Sequence, residues 1–240
     1  MPFPRLLAIE ARKLFDTRSA MVITAILLAL AVAAIAGRAA YLGPDLQRLI
    51  WTAGISYGTL LPVLGILAVT GEWSHRTTLT TFALEPRRWR VIVAKTVPPM
   101  AATVVACLFA VLVALPATAV TGAVQGVPAE WNAELAGVAG WTLTLMIFTV
   151  SGVALGALLL NGPAAIVIHL TSTIVWNTVA LLSPTGETLA AWLDLNRTTA
   201  PLASGELTAA DLAPLAVSVT LWIVVPLALG ILRVSRKEIK

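Results

Sequence analysis

Apolar residues in this chain come in long runs, without the strict alternation of a strand or the single stripe of a surface helix. Six runs stand out: Ser19–Ala36, Ile50–Thr70, Val91–Val120, Leu135–Leu160, Pro163–Ser183 and Ala213–Leu232. A helix needs about 20 such residues to cross the hydrocarbon core of a bilayer. It also satisfies its own backbone polar groups on the way. Each run therefore predicts a spanning helix. The third run is the longest and holds Pro98, Pro99 and Pro116, so it is expected to tilt or break. Pro62 and Pro226 are expected to kink the second and sixth spans.

The polar segments between the runs carry the remaining pattern. Residues 5–18 read as an amphipathic helix lying along the membrane interface, with Leu7, Ala11, Leu14 and Phe15 on one face. Residues 71–90 form a polar loop after span two. Ser74 can cap a short helix there, Leu79, Phe82 and Ala83 share a face, and Pro86 ends it. Arg87, Arg88 and Arg90 follow, with Trp89 suited to the headgroup region. Residues 184–212 link spans five and six. Trp192 and Leu195 predict a short helix within them that dips into the interface.

Charge sets the orientation. The N-terminus, the loop after span two and the C-terminus hold 13 of the 16 basic residues. Only Arg38, Arg48 and Arg197 lie on the other side. The positive-inside rule then makes both termini cytoplasmic, in a multi-pass protein of the cell membrane. The net charge of +4 reflects this topology. It points to anionic lipid as a partner, with no nucleic acid. The first run follows 18 residues that include Glu10 and Asp16, which does not fit a cleaved signal peptide.

Composition agrees. Of the 240 residues, 58% are hydrophobic and 12% charged; soluble domains carry about 25% charged residues. A soluble globular domain and a disordered chain are both excluded by these numbers. Six spans use roughly 120 residues, which leaves little for a separate soluble domain. The fold class is an all-α membrane protein: one transmembrane domain over residues 1–240, with an interfacial N-terminal helix and a loop helix between spans two and three.

The chemistry on offer is sparse. No GxxxxGK[ST] loop is present, so ATP binding in the Walker manner is absent from the chain. No HExxH or His/Cys/Asp/Glu cluster has metal-ligand spacing. Cys107 is the single cysteine and sits in an apolar run as a packing residue. No Asp or Glu lies inside a span, which argues against a proton- or sodium-coupled carrier. No catalytic residue, metal or cofactor is assigned to the chain.

Two polar stripes remain. On span five His169, Thr173, Trp176 and Asn177 recur at helical spacing; on span two Thr52, Ser56 and Thr59 do so. Polar groups facing lipid are costly, so both faces turn to protein or to a water-filled path. Interhelical hydrogen bonds worth about 1 kcal/mol each and the lining of a pathway are both open at this point. Gly54-Ile55-Ser56-Tyr57-Gly58 matches GxSxG, and with His169 it raises an intramembrane serine protease of rhomboid type. That motif normally sits on a strand-to-helix turn, which an apolar helix does not provide.

The layout resembles the membrane subunit of type-2 ATP-binding-cassette transporters, the ABC-2 permeases. The likeness spans the whole chain: a basic amphipathic start (LLAIEARKLFDTR), six spans, a long loop after span two and a basic tail. Locally it rests on Glu72, the threonines Thr77 and Thr78, Pro86-Arg87-Arg88 and Lys95. The resemblance implies a second permease copy, identical or a sister chain, and two separate ATPase subunits that bind ATP and Mg. It implies a coupling helix at about Ser74–Leu84 that seats on the ATPase, with Thr78, Leu79, Phe82, Pro86 and Arg87 at that interface. Glu72 and Arg76 would belong to a charged network beside it, and the turn at Asn161 would make a smaller contact. Spans two and five would line the pathway, through Thr52, Ser56, Thr59, His169, Thr173 and Asn177. The short external segment does not match members with large extracellular domains. The implied activity is export of a hydrophobic or amphipathic cargo (a drug, peptide antibiotic or lipid-like molecule) by alternating access. The rival readings are the protease and a membrane assembly or sensor subunit that transports nothing.

Overall fold

The structure, a computed structural model, describes residues 1–74 and 77–236. These residues form helices in the order α1 Phe3–Asp16, α2 Arg18–Leu42, α3 Leu46–Thr52, α4 Gly54–Ser74, α5 Thr78–Leu84, α6 Arg88–Gln125, α7 Leu135–Leu159, α8 Gly162–Leu182, α9 Pro184–Leu193, α10 Leu195–Ser204, α11 Leu212–Val219 and α12 Val225–Arg236. Six stretches are long and apolar enough to cross a membrane: α2, α3 with α4, α6, α7, α8, and α11 through α12. All six apolar runs of the sequence are thus helical. No named strand occurs among the described residues, where the only β feature is a bridge between Asp45 and Glu130.

Several local expectations change. The three prolines of α6 do not break it: Arg88–Gln125 is one helix of 38 residues, about 57 Å long at 1.5 Å per residue. That exceeds a hydrocarbon core of about 30 Å, so α6 runs beyond its apolar segment. A π-helical turn at Thr220–Val224 directly precedes Pro226 in the sixth span, and such turns are common sites of helix kinks. Span two is interrupted at Ala53, where α3 ends and α4 begins. Gly54 follows the break, and a Cβ there would lie 2.9 Å from the Trp141 indole nitrogen. The side chain of Trp141 occupies the space that a larger residue would need.

Helices α4 and α7 form the centre. Their seam is made of small residues set against backbone. Gly152 lies so close to the Pro62 carbonyl that a Cβ would collide with it. A Cβ on Gly65 would stand 2.6 Å from the Thr149 carbonyl oxygen, and one on Gly156 3.2 Å from that of Ile66. Close backbone approach of this kind drives helix association in lipid, where burial of apolar surface contributes little. Thr149 and Thr103 then share a buried hydrogen bond of 2.8 Å that ties α7 to α6. One apolar cluster sits above the seam, with Ile35, Leu49, Tyr57 and Leu61 around Trp141. Helix α8 is peripheral and buries only Gly162 and Ala165.

Candidate functional site

At one end of the bundle the three basic segments meet. The Met1 amino group lies 3.3 Å from Glu85, and Arg88 donates to the Val234 carbonyl at 2.7 Å. The N-terminal helix, the loop and the last helix are thereby joined.

Four charges from three long-range segments build the core of this joint. Lys95 of α6 donates to Glu10 of α1 at 2.6 Å and lies 3.1 Å from Glu72 at the end of α4. Lys13 of α1 contacts the same carboxylates, Glu10 at 2.8 Å and Glu72 at 2.6 Å. Thr81 of α5 completes the network: its hydroxyl donates to Glu72 at 3.0 Å. Lys95 and Glu10 are almost fully buried. Charges removed from water are tolerated only when paired and hydrogen-bonded, and here two ammonium groups face two carboxylates. Burial acts against the Lys13 ammonium, but its bonds to Glu10 and Glu72 outweigh this and raise its pKa.

This network rearranges two sequence expectations. Helix α1 buries Leu6, Glu10 and Leu14, whereas Phe15 is exposed. Glu10 enters the interior because Lys95 is there to receive it. Ser74 caps nothing: it lies in α4 and donates to the Thr70 carbonyl at 3.2 Å. The loop helix starts at Thr78 and is only seven residues long. Thr78 and Thr81 are its buried face, while Leu79 and Leu84 are exposed. Phe82 does not share the Leu79 face. Its ring packs beside Trp73 at 6.5 Å and under the Arg88 guanidinium at 5.1 Å. Pro86 and Arg87 are exposed, as is Asn161, whose side chain accepts from Ala164 N at 3.1 Å and caps α8. Arg76 falls outside the described residues.

Glu85 closes the loop onto Arg90 at 3.0 Å and onto the amino terminus. Burial pushes its carboxyl up, but the amino terminus and Arg90 hold it below the usual carboxylate range. A depressed acid stabilises the fold above its unfolded pKa, and that contribution is lost as pH falls through the folded pKa. Melting of the detergent-solubilised protein should therefore favour wild type over Glu85→Gln at neutral pH. The gap should close in acid, below the usual carboxylate range. A pH-independent gap would show that the charge is not what Glu85 contributes.

Beside the network lies a cavity of about 640 Å3. Leu14, Ala20, Leu67, Ala68, Leu84 and Pro98 are among its walls, and Lys13, Glu72 and Lys95 border it.

A second cavity, of about 240 Å3, lies between α4, α8 and the α9–α10 connection. It brings the two polar stripes together in part. Thr59 from α4 faces it, with His169, Thr173 and Trp176 from α8. Thr52, Ser56 and Asn177 do not line it. The break at Ala53 places Thr52 on α3, where its hydroxyl donates to Arg48 O at 2.7 Å. Ser56 is buried, with its hydroxyl on Ala53 O at 3.0 Å. Asn177 is exposed one turn beyond Thr173 on α8. Thr52 is thus set apart from Ser56 and Thr59 by the break, and of those two only Thr59 reaches the cavity.

The α9–α10 connection supplies what the sequence stripes lacked. The predicted short helix is two, and Asp194 lies between them. It is buried, lines the cavity, and accepts from Asn196 N at 3.0 Å as the cap of α10. The Asn196 side chain in turn donates to Thr173 at 2.7 Å and so ties α10 to α8. The Trp222 indole donates to Leu193 O at 2.8 Å and holds the last span against the same turn. Asp194 was hidden in the sequence because an Asp in a polar connection reads as a turn residue. Asp-Leu-Asn at a helix start was the available cue.

No family model matches this chain, and neither does any curated protein. The six helices and their apolar surfaces define a multi-pass helical membrane protein.

Proposed function

We propose that the chain is the membrane subunit of an ABC-2-type exporter, paired with a second permease copy and driven by two separate ATPase subunits. One observation carries the reading. The short loop helix is held from inside by the Lys95–Glu10–Lys13–Glu72 network, while it turns Leu79 and Leu84 outward beside exposed Arg87 and Trp89. A lever needs this arrangement: a rigid link to the N-terminal helix and to the second and third spans, and an apolar tip left for another protein. The positive-inside rule puts that tip in the cytoplasm, with α1 along the interface.

The second cavity supports a path between spans two and five, and its mix of hydroxyls, imidazole and indoles suits an amphipathic cargo. The exposed apolar face of α8, with Val167, Ile174 and Val175, is available to lipid or to the second copy. The protease reading gains no support, since Ser56 does not line the cavity that holds His169.

Purification of the tagged protein from its native membrane in mild detergent tests this. A nucleotide-binding subunit with ATPase activity is expected to co-purify. Leu79→Asp with Leu84→Asp should release it while leaving the fold intact, because both side chains are exposed. Ser56→Ala should leave the ATPase activity in place. A wild-type protein that purifies alone and without ATPase activity would overturn the proposal.

A further inference from the structure

We infer that the cavity between α4, α8 and the α9–α10 turn binds the cationic head of the cargo, an ammonium group, with Asp194 as counter-charge and tryptophan rings as walls. As a statement about cargo this rests on the exporter reading, but the binding itself belongs to this chain alone.

Among the residues lining the cavity, Asp194 is the only carboxylate, and no Lys or Arg lines it. His169 is the other titratable group there. Arg197, close in sequence, pairs with Glu187 at 2.6 Å and also acts on Asp194 from outside the cavity lining. The field within the cavity is thus that of one buried carboxylate, partly offset by Arg197 behind it. The remaining walls include three aromatic residues, Phe148, Trp176 and Trp222. Trp222 has its N–H committed to Leu193 O, so what it offers the cavity is its ring. A carboxylate among aromatic rings is the chemistry that recognises ammonium groups, through ion pairing and cation–π attraction. An anion would meet the Asp194 carboxylate with no Lys or Arg in the cavity lining to receive it. The volume of about 240 Å3 holds a head group, and the exposed apolar face of α8 is where a tail would lie.

Asp194 also caps α10, and the bland role must be separated from the binding one. Asn is as good a cap as Asp, so Asp194→Asn keeps the cap and removes the charge. The probe is octyltrimethylammonium, titrated calorimetrically into the purified chain in phosphatidylcholine nanodiscs, with octanesulfonate as the anionic comparator. The ammonium should bind and the sulfonate should not. Asp194→Asn should weaken the ammonium about tenfold, and Trp176→Leu by a similar factor. Binding should also weaken as pH falls, since burial sets the Asp194 pKa above the usual aspartate value. Protonation of His169 acts in the same direction, so the Asn variant is the one that assigns the effect.

Equal binding of both probes, no ammonium binding, or an unchanged affinity in a folded Asp194→Asn protein would each overturn the inference. None of these results bears on whether an ATPase co-purifies, so the two proposals fail separately.

Discussion

Lys95→Met is expected to destabilise the protein by about 3–5 kcal/mol, one of the two largest single-site effects anticipated. Lys95 has 4% of its side chain exposed and Glu10 2%, with 2.6 Å between the charged atoms. Removing the ammonium leaves two carboxylates, Glu10 and Glu72, sharing Lys13 alone. The excess negative charge is largely shielded from bulk water, since Glu10 is 2% exposed and Glu72 11%. The cost therefore comes mostly from the charge left behind, and much less from the lost attraction. A double-mutant cycle follows from this. Glu10→Met with Lys95→Met removes one charge of each sign and leaves the Lys13–Glu72 pair intact. The double variant should be more stable than Lys95→Met alone. Unfolding in mixed micelles with increasing dodecyl sulfate provides the measurement. A single variant within about 0.5 kcal/mol of wild type, the range of an ordinary surface substitution, would mean that the network carries no strain on losing a member. The same variant also tests the proposed exporter: if an ATPase subunit co-purifies with wild type, Lys95→Met should lose ATPase stimulation even where that subunit still binds.

Gly152→Ala should be comparably severe, at about 3 kcal/mol, the upper part of the range for overpacking. The methyl group would enter the space of the Pro62 carbonyl, which is backbone and cannot rotate away. The two central helices would have to separate, and Gly65 and Gly156 would lose their close approaches on the same seam. Gly37→Ala is the control: nothing lies within 4 Å of a Cβ there, and Gly37 is inside α2. Replacing it should be neutral or stabilising by up to about 1 kcal/mol, from helix propensity. Similar melting of the two variants would show that the α4–α7 seam is looser than its geometry requires.

How far the site was legible differs between its parts. Six helices followed from six apolar runs, because a spanning helix is specified by length and composition within one segment. Glu72 and Lys95 were visible as charges flanking spans, yet their partners were not. Glu10 and Lys13 lie on another helix, and pairing them needs the tertiary position of α1. Phe82 stands at helical spacing from Leu79, but its ring packs against Trp73 and Arg88, contacts that spacing along one helix does not reveal. The exposed large apolar residues of the loop helix are Leu79 and Leu84. Gly152 and Gly156 form a small-xxx-small pattern that was there to be read, but spacing alone does not say which helix it meets.

The residues of the two polar stripes divide in the same way. His169, Thr173 and Trp176 share a face because one unbroken helix carries them. Of the other stripe, Thr52 is left on α3, and on α4 Ser56 is buried while Thr59 faces the cavity. Asp194 became a cavity residue only when α9 and α10 folded back against α7 and α8.

By itself the sequence determined the class of protein, the number of spans and the segregation of basic segments, all properties of single segments in a bilayer. Tertiary structure decided which charges are buried together, which face of the loop helix is free and what lines the cavity. Those depend on contacts between residues far apart in the chain, and local periodicity carries no record of them.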